Sequence, residues 1–181
     1  MPIGPLMIEH RLIEKVIALM EKELLGAEDL RKIDPDLIQD FTRFIRFYAD
    51  QCHHGKEEDI LFKELKKKNI SREHETIMDQ LIEDHKWGRK TTGELVVAHE
   101  KYLKGEGNVL SEIMAKTKAL IEFYPKHIQK EDRQFFMPVM EYFTQEEKDA
   151  MLREGYALDS NLLHEAYAET VSGMEKRLRG N

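Results

Sequence analysis

One cysteine, one tryptophan, five prolines and ten glycines are spread over 181 residues. A lone Cys52 cannot close an internal disulfide and fits a reducing cytoplasm. The N-terminus lacks a signal-peptide pattern, which points the same way. No apolar run approaches the roughly 20 residues that span a bilayer. Positive charge is outnumbered, 28 Lys and Arg against 35 Asp and Glu, for a net charge of −7. That balance argues against a general binder of nucleic acid or of anionic membrane, both of which call for a basic surface. The missing thiolate cluster argues against a structural zinc site.

What is present is apolar (41%) and charged (35%) in the proportions of a helical protein with a proper core,. Gly4-Pro5 opens a first helix over 5–25, closed at Gly26, with Leu6, His10, Ile13, Ile17, Met20 and Leu24 on one stripe,. Asp34-Pro35 starts a second that runs to about Lys68,. Ser71 caps a third to about Lys104, whose stripe is Met78, Leu81, His85, Gly88, Thr92, Leu95 and His99. After Gly105-Glu106-Gly107 a fourth runs from about Asn108 toward Met137, bent at Pro125,. The expected fold is all-α, an antiparallel up-down four-helix bundle over 1–143. Residues 144–181 form a helical extension packed on it, opened by the capping box Thr144-Gln145-Glu146-Glu147,.

One short phrase occurs twice. His53-His54-Gly55-Lys56-Glu57-Glu58 precedes Leu61-Phe62, and His127-Ile128-Gln129-Lys130-Glu131-Asp132 precedes Phe135-Phe136. Aligned, His53 falls on His127, Lys56 on Lys130, Glu57 on Glu131 and Glu58 on Asp132. A His and a Glu four residues apart share one helix face. His10 and His85 sit on the core stripes of the other two helices. Titratable groups on apolar stripes are costly unless paired or metal-bound, so His10, His53, Glu57, His85, His127 and Glu131 are the candidate metal ligands. Imidazole with carboxylate suits iron, manganese or zinc. Two register questions stay open: His53 with Glu57 is preferred to His54 with Glu58, and Glu131 is preferred to Asp132 because it aligns with Glu57.

These residues resemble the hemerythrin-like, or HHE cation-binding, family over about residues 5–140. The carriers are Glu9-His10-Arg11, His53-His54-x-x-Glu57-Glu58-x-x-Leu61-Phe62, Glu83-Asp84-His85-x-x-Gly88-Arg89 and His127-Ile128-x-x-Glu131-Asp132. The resemblance implies two non-haem irons, oxo- or hydroxo-bridged, with Glu57 and Glu131 as bridges. His10 and His53 would hold one iron, His85 and His127 the other; zinc and manganese accept the same donors. Oxygen carriers of the family place a second His one turn after the third-helix ligand, where this chain has Arg89. The reading therefore moves from oxygen carriage toward binding, sensing or reducing a small ligand: oxygen, peroxide or nitric oxide. Two alternatives accompany it. One is a di-iron enzyme of peroxide or nitric oxide reduction or of iron–sulfur cluster repair; the other is a regulatory protein-interaction module with a structural metal.

Other candidates read more plainly. His99 lies about four turns along from His85, too far to join one site at 1.5 Å per residue. His74 is expected to be solvated at a helix start, and Cys52 to be a small hydrophobe. Tyr124 either packs or supports the metals, and His164 is a candidate additional ligand or gate on the extension's apolar stripe. The Lys66-Lys67-Lys68 run is the cationic end of the second helix,.

Overall fold

The computed structural model describes residues 1–26, 34–107, 109–159 and 161–180, the last segment without the side chains of 161–166, 169, 177, 178 and 180. His164 thus lies outside the described side chains. Among the described residues the fold is all-helical, with no strand, and no helix is long and apolar enough to cross a membrane.

Helix α1 (Ile3–Gly26) starts just ahead of the expected Gly4-Pro5. Helix α2 (Pro35–Phe44) begins where the Asp34 carboxylate accepts from the Asp36 amide at 2.9 Å, one of the amides a helix start leaves unpaired. It runs on through two π-helical stretches, Ile45–His54 and Glu57–Phe62, into the short α3 (Lys63–Leu65). Helix α4 (Arg72–Leu103) is capped by the Ser71 hydroxyl, which accepts from His74 N at 3.2 Å. Gly105 and Gly107, with φ of 71° and 70°, make the turn that follows, a left-handed conformation favouring glycine,.

Helix α5 (Leu110–Lys130) continues through Pro125, and the irregularity falls later, as a π-helical Glu131–Phe135 followed by α6 (Phe136–Val139). Each copy of the repeated phrase therefore carries its Glu on π-helical backbone, where interrupted hydrogen bonding often accompanies a functional site. Helix α7 (Gln145–Leu158) has the expected capping box between Thr144 and Glu147, and α8 (Asn161–Gly180) follows.

Two apolar clusters hold the helices together. The first takes Ile13, Val16, Ile17 and Met20 of α1, Phe41, Phe44 and Tyr48, Leu95 of α4 and Leu120 and Tyr124 of α5. The second takes Ile3 and Leu6 of α1, Ile60, Leu61 and Leu65, Met78 and Leu81 of α4, and Phe135 and Phe136. On these four segments the buried Glu9, His10, His53, His54, Lys56, Glu57, His85, His127 and Glu131 fall where one cluster gives way to the other. The extension shares both cores: Met151 of α7 joins the second, and Tyr167, Val171 and Met174 of α8 join the first. Lys68 is less solvated than the lysine run suggests, pairing with Glu147 of α7 at 2.5 Å and lying 5.3 Å from the Phe143 ring centroid.

Candidate metal centre

All six sequence-predicted residues meet in the polar layer between the two cores, and His54 joins them. His10, His53, Glu57 and Glu131 form one buried group, and His54, His85 and His127 a second, the donor atoms of each lying within 4.8 Å of one another. Glu57 faces both groups, with Oε1 3.4 Å from His53 Nε2 and Oε2 3.2 Å from His85 Nε2. Glu131 does the same, with Oε2 3.1 Å from His10 Nε2 and Oε1 3.2 Å from His127 Nε2. Despite these distances, none of the facing Nε2 atoms and neither carboxylate makes an aligned hydrogen bond. Buried polar atoms are rarely left so. Imidazole nitrogens and carboxylate oxygens brought this close without pairing are groups able to hold metal.

The choice between His53 and His54 dissolves. On an ideal α-helix adjacent residues point about 100° apart, so one of the two would face away. Both lie on the π-helical Ile45–His54, whose i→i+5 bonding widens the turn and narrows that angle. The signal was present in the doubled histidine itself, but 3.6-residue periodicity cannot express it.

The opposite ring nitrogens are held by carboxylates, and each carboxylate by a cation. His53 Nδ1 donates to Glu9 at 2.8 Å, with Lys56 behind it; His10 Nδ1 donates to Asp132 at 2.8 Å, with Arg11 behind it. His85 Nδ1 donates to Glu58 at 2.7 Å, held by Arg89, and His127 Nδ1 to Asp84 at 3.3 Å, held by Lys130. A proton fixed on Nδ1 leaves Nε2 as the free donor toward the centre. The two register alternatives thus have positions of their own: Glu58 and Asp132 back the histidines of α4 and α1. Arg89 does not leave a gap. It holds Glu58 and reaches Asp50 at 2.6 Å, while His54 supplies the ring from the neighbouring segment.

The repeated phrase explains the pattern. Lys56 and Lys130 perform the same task, each holding the carboxylate that accepts from the His three residues earlier in its own copy. Glu9-His10 on α1 matches Asp84-His85 on α4, each pair giving one carboxylate to a neighbouring histidine and one imidazole to the centre. His54 breaks the correspondence, since Ile128 stands at its counterpart.

The electrostatics agree with a cation site. Burial opposes charge on His10 and His85, but the surrounding carboxylates override it and raise them to about 10 and about 11. Burial also disfavours the Glu131 charge, yet His127, His10 and His85 bring it well below the carboxylate norm. His54 is pushed well below 6.5 by burial and by His85, His127 and His53, leaving a neutral imidazole ready to ligate.

The remaining histidines stay apart. His99 is buried outside both groups, and His74 donates or accepts at Tyr142 Oη, 2.8 Å away, instead of facing solvent alone. Tyr124 is buried edge-on to Phe123, 5.3 Å between centroids. Cys52 is half-buried and its thiol is pushed up to about 11, chiefly by burial.

No curated protein and no solved structure shows significant similarity to the chain. The family model described as the Hemerythrin HHE cation binding domain matches residues 1–139, a span that contains every residue of both groups. The chain therefore belongs to the hemerythrin HHE cation-binding domain family.

Proposed function

We propose that this chain holds two non-haem irons in an antiparallel up-down four-helix bundle and uses them to bind, sense or reduce oxygen, peroxide or nitric oxide in the cytoplasm. The bundle reading draws on the order in which successive segments cross the cores. α1 and α4 run from the second apolar cluster to the first, α2 with its continuation and α5 from the first to the second.

One observation carries the functional reading: two buried carboxylates, Glu57 and Glu131, each turn their two oxygens to different histidine groups with no hydrogen-bond partner. His10 and His53 with one oxygen of each Glu make site A. His54, His85 and His127 with the other oxygens make site B. Iron bound there supplies electrons and open coordination positions for a small ligand. Site A has fewer protein donors, two imidazoles against three, and is the side assigned to that ligand. The chain's own part is preorganisation. Carboxylates fix each Nδ1 proton, apolar cores on both sides keep bulk water out, and the cations behind the carboxylates hold them in place.

A cleft of about 360 Å³, lined among others by His54, Arg89, Thr92 and Tyr124, opens beside site B. Room for a small substrate there favours the enzymatic alternative, which steady-state turnover of peroxide or nitric oxide by the reduced protein tests. The leading reading is tested by metal analysis with absorption spectra before and after oxygen exposure. Two irons per chain with charge-transfer absorption that responds to oxygen are expected; metal-free protein with a full cooperative melt overturns the proposal.

A further inference from the structure

Three of the four cations behind the histidine-bound carboxylates are at least partly open to solvent, with side-chain exposures of 56% for Arg11, 37% for Arg89 and 26% for Lys130. Lys56 is the exception at 5%. It is also shared: beyond Glu9, its Nζ reaches Asp159 Oδ2 at 2.5 Å, and Asp159 is itself buried. Lys130, its counterpart in the repeat, holds Asp84 at 2.8 Å and, among the described residues, no second carboxylate. Asp159 closes α7, its amide bonded to Gly155 O at 2.9 Å. Gly155 packs beside the Lys56 stem, at an ordinary contact distance of 3.8 Å from where a Cβ would sit. Asp159 and Gly155 lie beyond residues 1–139, the span the family model matches.

A buried ammonium bound only by Glu9 would draw that carboxylate's electron density away from the His53 ring. A second carboxylate on the ammonium relieves this, leaving Glu9 a stronger acceptor for Nδ1–H and His53 Nε2 a stronger donor. Building on the two-metal reading, we propose that Asp159 is a positioning residue for site A. Held on Lys56, it sets the tautomer and donor strength of His53 through Glu9, and so couples metal affinity at site A to the docking of α7.

The test uses the full chain with Asp159→Asn, which keeps the shape and removes the charge. In metal-free ¹⁵N-labelled protein, long-range ring correlations should show His53 as the Nδ1–H tautomer, with part of that population lost in D159N. Cobalt(II) titration should show one of two sites weakened by about 10–100-fold and the other unchanged. Asp159→Glu should behave as wild type, and Glu147→Gln, which removes the Lys68 ion pair at the opposite end of α7 while keeping a side-chain oxygen for the Thr144 amide, should alter neither readout. Removing the ammonium as well, in Lys56→Met with Asp159→Asn, should restore the tautomer and the weakened site. That double variant also decides the matter if D159N does not fold, because it leaves no unpaired buried charge on the lysine. Wild-type tautomer and affinities in D159N, equal weakening of both sites, or a double variant without rescue would each overturn the proposal. If the wild type takes up no cobalt, the two-metal reading falls instead, and the His53 ring correlations alone decide the relay.

Discussion

The rings of His54 and His85 stack at 3.9 Å with only 12° between their planes, although they come from different segments and carry opposite tendencies. Burial and the facing His85 hold His54 neutral, while Glu131, Glu57 and Glu58 override burial to favour charge on His85. A stacked neutral and protonated pair becomes two neutral donors when a cation takes the proton's place.

The two adjacent histidines should separate experimentally. His53→Ala is expected to weaken site A and spare site B, and His54→Ala to do the reverse. Two-step cobalt(II) titrations with one step lost in each variant are the expected result. If either variant binds both ions like wild type, that histidine is not a ligand.

Loss of a shared carboxylate should be felt at both sites. Glu57→Ala is expected to abolish tight binding of both ions. It should also cost the metal-free protein about 3–5 kcal/mol, because His53 and His85 then face an uncompensated buried gap. Metal analysis and denaturant melts read the two effects. Full occupancy with an unchanged midpoint would remove Glu57 from the centre.

Acidity should work against metal uptake. His10 and His85 are raised to about 10 and about 11 from an ordinary 6.5. In the metal-free protein their contribution to stability is full below 6.5 and is lost as pH rises through the two raised values. An incoming ion must displace those protons, so affinity should rise with pH between about 6 and 8, with release of about two protons per chain. Calorimetry in buffers of different ionisation heat counts them, and uptake without proton release would contradict the assignment.

Gly93 lines the cleft beside His54, and a Cβ built there meets nothing within 4 Å. Gly93→Ala should stabilise α4 by about 0.5–1 kcal/mol through helix propensity alone. Metal stoichiometry should not change, as thermal melts and metal analysis will show. A destabilised protein would mean that the helix needs the glycine for packing.

Much of the site was legible in the sequence. His10 and His85 announce themselves as polar interruptions of apolar stripes, and the duplicated phrase pairs His53 with Glu57 and His127 with Glu131. The helical class and most boundaries follow from capping residues such as Ser71 and Thr144, whose hydrogen bonds are local. His54 was not legible as a companion to His53, because a regular helical period allows one of the two to face inward. Glu58 and Asp132 looked like competing ligands, since spacing alone cannot tell a residue that faces the centre from one that backs a neighbour's ring.

The sequence by itself determined which residue types are forced into the interior and at what interval, because burial and helical period are properties of the local chain. Only the tertiary structure decided that His53 and His54 both face inward, through π-helical backbone, and that Arg89 holds Glu58 and Asp50 where a further histidine was missing. It alone placed Asp159 against Lys56. Those outcomes depend on which helices lie side by side and how closely, and contacts between residues as distant as Glu9, Lys56 and Asp159 leave no periodic trace in the chain that makes them.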